Sequence, residues 1–165
     1  MKNNSKINVV KTLISGWRET RSLTIDWINF YSIKKLQQKL PRVGLNTFVK
    51  HLIEMLEVQK SYVNVSYGEK LNFLEIGKSL PNPSVMTKKF LIEKLKFEDD
   101  RLYKTINNIK DWNKPVELFN KKYPLYYVIE LLIRHETLHH GQFIAFGYSM
   151  KLKFPKYWKI VWALP

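Results

Sequence analysis

The sequence predicts an all-α protein, a four-helix bundle with long connections. Three observations lead there. Four stretches repeat their apolar residues at the helical spacing of three and four, and clusters of Pro, Gly and Asn separate those stretches. The third is size: 165 residues, 45% of them hydrophobic, suffice to bury one proper core, so residues 1–165 read as a single domain.

The first helix is expected over roughly Val9 to Tyr31, where Leu13, Trp17, Leu23, Trp27 and Phe30 recur near the helical period. Pro41-Arg42-Val43-Gly44 then makes a turn, and Asn46 or Thr47 is placed to cap a second helix running to about Tyr62. Phe48, His51, Leu52, Met55, Leu56 and Gln59 share one side of it. Val65 to Pro83 reads as a long connection, broken by Gly68, Gly77, Pro81 and Pro83. A third helix starts near Ser84 or Thr87 and reaches about Ile109 on Phe90, Leu91, Leu95, Leu102 and Ile106. Asp111-Trp112-Asn113-Lys114-Pro115 ends it, and Val116 to Lys122 suits a short extended or hairpin piece. Pro124 fits the first turn of a last long helix, about Leu125 to Met150, whose dense apolar content suits the inside of a bundle. Pro155 opens a short tail, Tyr157-Trp158-Lys159-Ile160-Val161-Trp162.

Composition narrows the chemistry. There is no cysteine, which excludes a disulfide framework, a thiolate metal site and a cysteine nucleophile together. The formal net charge of +14 favours small anionic ligands. The basic residues are scattered in pairs such as Lys34-Lys35, Lys88-Lys89 and Lys121-Lys122, without any spaced nucleic-acid motif, so a solvated lysine-rich surface is expected and nucleic acid is not. No apolar run approaches a membrane span, and the basic start Met1 to Lys6 is followed by too short an apolar stretch for a signal peptide. A cytoplasmic protein is expected.

The chemistry-bearing residues are the four histidines. Three lie in His135-Glu136-Thr137-Leu138-His139-His140-Gly141-Gln142 and the fourth, His51, stands alone upstream. With His135 at zero on the helical wheel, His139 falls at about 40° and Gln142 near −20°, while Glu136 and His140 fall at about 100° and 140°. His135 and His139 therefore share a face and can reach one ion, whereas His140 points away and is expected either partly exposed or in a helix-packing hydrogen bond. Two neighbouring buried imidazoles without a partner would be costly, and a metal ion resolves that cost. His135-Glu136-Thr137-Leu138-His139 also matches the H-E-x-x-H zinc-peptidase string. Such enzymes take a third ligand from downstream, and no histidine follows His140 and no acidic residue follows Glu136. The third ligand must come from upstream, where His51 is the one remaining histidine; a three-histidine site with an open position is a known catalytic arrangement.

These residues resemble the DinB/YfiT-like family of metal-dependent four-helix bundles. That family's pattern is an isolated histidine in the second helix after a Pro- and Gly-containing loop, then H-x-x-x-H-R-G-Q in the fourth. Here His51 follows Pro41 to Thr47, and His135 to Gln142 supplies the second string with His140 where the family has arginine. A histidine does not replace a bidentate arginine at neutral pH. The resemblance implies a site of His51, His135 and His139 for zinc, nickel or a similar divalent ion. It also implies a homodimer and, in some members, transfer chemistry on a low-molecular-weight thiol such as bacillithiol or mycothiol.

Three neutral imidazoles leave the ion's double charge in place, enough to deprotonate a coordinated thiol or to bring the pKa of a bound water to about 7. The leading expectation is a transferase using an external thiol, since the chain has none of its own. A hydrolase using metal-bound water and a non-catalytic metal-binding, stress-associated protein are the alternatives. Gln142 is a candidate to orient the reacting group and Glu136 to move a proton or orient a ligand. Glu54, Asp26 and Glu136 are the candidate acceptors for the histidines' second N–H groups.

Overall fold

The computed structural model describes residues 2–69, 71 and 82–165. The elements in chain order are α1 (Lys2–Phe30), a one-turn α2 (Ile33–Leu36), α3 (Phe48–Ser66), α4 (Lys88–Asn108), β1 (Pro115–Leu118), β2 (Lys121–Pro124), α5 (Tyr127–Ser149) and α6 (Lys156–Val161). The four long helices form the expected bundle. α1 packs against α4 and α5, and α3 packs against the same two, so α1 and α3 lie on one diagonal and α4 and α5 on the other.

Cross-helix contacts fix the directions. Arg21 meets Glu136 and Thr24 meets His140, numbers rising together, so α1 and α5 are parallel. Gln59 meets Asp99 and Tyr67 meets Thr105, so α3 and α4 are parallel as well. Trp17–Asp99 and Asn29–Lys88 set α1 antiparallel to α4, and His51 and Glu54 against His139 and His135 set α3 antiparallel to α5. Parallel α3 and α4 cannot be joined by a tight turn, which is why the sequence carries a long connection there. Its breakers Gly77 and Pro81 lie outside the described residues. Gly68 does end α3: it takes φ +93°, the left-handed conformation that closes a helix at least cost in glycine.

The start signals act as predicted. Thr47 Oγ1 accepts from Lys50 N at 3.1 Å and Thr87 Oγ1 from Phe90 N at 3.1 Å, each satisfying an orphan amide at a helix N-terminus. One expectation needs correction. Pro124 does not open α5; it ends β2, paired with Pro115, where a missing N–H costs no inner ladder bond. The turn between the strands is Phe119-Asn120, both at positive φ (52° and 60°), as a two-residue hairpin requires. The tail after Pro155 is α6, whose Trp158 is fully buried and donates its Nε1–H to Leu23 O at 2.8 Å.

The interior has two apolar parts. One gathers Leu23, Trp27, Phe48, Leu52, Met55, Leu95, Phe143 and Trp158. The other gathers Trp17, Val58, Tyr62, Leu102, Val128 and Leu132. Phe154 packs on the first part, and a Cβ added at Gly147 would come 2.7 Å from its ring. Gly147→Ala should therefore overpack this corner and cost about 1–3 kcal/mol, measurable as a lower urea midpoint at unchanged m-value. Among the described residues no helix is long and apolar enough to cross a membrane.

Candidate metal centre

α3 and α5 face each other antiparallel, and each contributes two polar residues to the contact between them. On α5 the four-residue spacing puts His135 and His139 one above the other, with Nε2 atoms 3.3 Å apart. On α3, His51 and Glu54 are three apart and reach the same two rings. Glu54 Oε2 lies 3.2 Å from His139 Nε2, and Glu54 Oε1 lies 4.0 Å from His135 Nε2. One donor atom each from Glu54, His135 and His139 therefore falls within 4.8 Å of the others.

His51 is at the centre too, but on the other edge of His139: the two Nδ1 atoms are 2.9 Å apart. One ring cannot offer opposite nitrogens to a single ion. As the side chains stand, His51 supports His139 and Glu54 completes the compact donor group. The sequence reading placed Glu54 only as an outer acceptor. Its signal was present, an acid three residues after His51 on the same helix.

The electrostatics suit a cation. Burial, aided by His139 beside them, pushes both His51 and His135 down to about 4, so both rings are neutral at physiological pH. Burial works against the charge on Glu54, yet the imidazoles of His139, His135 and His51 outweigh it and hold the carboxyl below its usual range. His51 Nε2 and Gln142 Oε1 are buried without a hydrogen-bond partner. The imidazoles of His135 and His139 and the carboxylate of Glu54 form a donor set that fits a divalent ion of the zinc or nickel kind.

The remaining predicted residues separate by face. Gln142, seven residues after His135 and three after His139, falls on their helical stripe, with its Oε1 buried and unpaired. Glu136 is buried and turned toward α1, where its Oε2 lies 3.1 Å from Arg21 Nη2 and its Oε1 accepts from Thr24 Oγ1. Thr24 has one proton and the carboxylate takes it, so the 2.8 Å contact to His140 Nε2 must be donated by the imidazole. His140 is accordingly a helix-packing residue and fully buried, against Trp158 at 4.9 Å between ring centroids. Burial pushes it down to about 3, ahead of the charges of Arg21 and His139.

Fold and donor group together define a helical-bundle protein with a candidate divalent-metal centre between two antiparallel helices. Among solved structures the chain is similar to the crystal structure of a DinB-like protein from Bacillus cereus ATCC 10987, with a TM-score of 0.66 over 88% of this chain and 95% of that one, at 15% sequence identity. The fold is thus DinB-like. No family model matches the sequence, and no curated protein matches it either.

Proposed function

We propose that this is a divalent-metal-dependent enzyme that transfers an external low-molecular-weight thiol to an electrophile. The observation that carries the metal part is the group of Glu54, His135 and His139, drawn from two helices onto one point. A bound zinc or nickel ion would supply Lewis acidity there, lowering the pKa of a coordinated thiol or water. The protein's own residues do the rest. His139 donates Nδ1–H to His51 Nδ1, which fixes the ring and leaves Nε2 for the centre. Phe143 and Phe146, with ring centroids 5.6 and 6.0 Å from that of His51, wall the site with apolar surface. Gln142, with an unpaired carbonyl oxygen, orients the reacting group. The absence of cysteine supports an external thiol, and the net charge of +14 favours an anionic one.

Glu54 favours a second reading. Two histidines and one carboxylate are the donor set of several zinc hydrolases, and water would then be the nucleophile. Turnover decides between the two: consumption of an electrophile only when thiol is added supports transfer, whereas ester or amide cleavage without thiol supports hydrolysis. Glu54→Gln is expected to weaken zinc binding at least about 10-fold, since even groups that merely support a ligand are worth about 10–100-fold. Competitive titration against a chromogenic chelator measures it. Wild-type affinity in that variant would remove Glu54 from the centre.

A further inference from the structure

Behind the candidate centre lies a second polar cluster, to which every long helix contributes. Arg21 of α1 reaches Glu136 of α5 (3.1 Å), Asp99 of α4 (3.3 Å) and Gln59 of α3 (2.6 Å). Gln59 Nε2 and Trp17 Nε1 both donate to Asp99 Oδ1, at 2.9 and 3.2 Å. Thr24 joins Glu136 to His140. None of Arg21, Thr24, Gln59, Asp99, Glu136 and His140 is more than 8% exposed. The cluster sits where the two apolar parts of the core meet. Apolar attraction is non-directional, whereas a set of directed hydrogen bonds is satisfied in one register.

Along α5 the members of this cluster alternate with the candidate ligands: Glu136 follows His135, and His140 follows His139. We propose that the cluster is a positioning device, in which Arg21 and Thr24 of α1 hold α5 at the one rotation that turns His135 and His139 toward Glu54. The proposal rests on the metal-centre reading above. Its size follows from helix geometry. Side-chain tips lie about 5–6 Å from a helix axis, so a turn of only 10° moves them by about 1 Å. Metal–ligand distances tolerate about ±0.2 Å. Residues on the α1 side of α5 are therefore able to set affinity on its α3 side without touching the ion.

The test uses Co²⁺, whose visible bands report ligand geometry, on the full chain. Thr24→Val keeps the shape and deletes both hydrogen bonds to α5; Arg21→Met/Glu136→Met removes the ion pair from both ends. At least about 10-fold weaker Co²⁺ binding with altered bands, a loss beyond what the fall in thermal midpoint accounts for, and recovery in Thr24→Ser, which keeps the hydroxyl, are expected. Wild-type affinity and spectrum in folded variants would overturn the proposal. So would an affinity that falls only in step with the midpoint, which is what a purely structural cluster would show. If the double variant does not fold, the Val/Ser pair at position 24 decides. A wild-type chain that binds no Co²⁺ would overturn the metal centre itself, and this inference with it.

Discussion

His139→Ala is expected to abolish stoichiometric metal binding, the largest effect predicted at the candidate centre. His139 is the hub of the centre: its Nε2 stands 3.3 Å from His135 and 3.2 Å from Glu54, and its Nδ1 stands 2.9 Å from His51. Without it the remaining compact pair is His135 and Glu54, 4.0 Å apart on different helices. A structural zinc site is worth about 10–16 kcal/mol over four ligands, so one ligand carries roughly 2.5–4 kcal/mol. That is a loss of roughly 50- to 1000-fold, before counting Glu54 and His51, which lose their partner. The measurement is metal content by mass spectrometry on tag-free protein, wild type beside His139→Ala and His51→Ala. One equivalent retained in His139→Ala would sink the site. His51→Ala separates two arrangements: partial loss fits a ring that steadies His139, while complete loss fits a direct ligand reached by a turn of the His139 side chain.

The parts that sequence shows are those written in local spacing. Thr47 and Thr87 cap helices because their hydroxyls reach an amide three residues on, and that offset is visible in the chain. His135 and His139 share a face because a helix must place them so. The wheel also sent Glu136 and His140 to another side, and there they are, against α1. What lay beyond reach depends on which helices become neighbours. Arg21 looks like one more surface cation among 28 Lys and Arg residues; its burial follows from three polar partners contributed by α3, α4 and α5. Glu54 could be named as an acceptor, but its choice over Asp26 depends on how α3 is rotated against α5. The tail became α6 because Trp158 found Trp27, Phe143 and His140 around it, a pocket assembled from α1 and α5. Pro124 misled because proline is as acceptable at a strand end as in a first helical turn.

Arg21→Met should be the most destabilising of these substitutions, by about 3–5 kcal/mol, the cost of removing one partner from a buried ion pair. An exposed arginine would be worth no more than about 0.5 kcal/mol, so the two readings are well separated. The physical reason is what remains. Burial already raises Glu136 and Asp99 above the usual carboxylate range while Arg21 opposes it. Without Arg21 the largest offset to that desolvation is gone, leaving the hydrogen bonds from Thr24 to Glu136 and from Gln59 and Trp17 to Asp99, and the folded-state pKa of both rises further. A group whose pKa is higher folded than unfolded binds more protons when folded, so its contribution is full below the unfolded value and is lost as pH rises through the folded value. The deficit of Arg21→Met should therefore be greater at pH 8 than at pH 5, where protonation neutralises the stranded carboxylates. Urea unfolding at the two pH values, wild type beside variant, measures both its size and its slope. Removing Glu136 together with Arg21 should recover much of the loss, because a pair deleted from both ends leaves fewer buried charges unpaired. A deficit of the expected size that did not change with pH would trace the loss to the packing of the arginine stem against Trp17, over whose ring the guanidinium sits at 4.7 Å, rather than to the charges it holds.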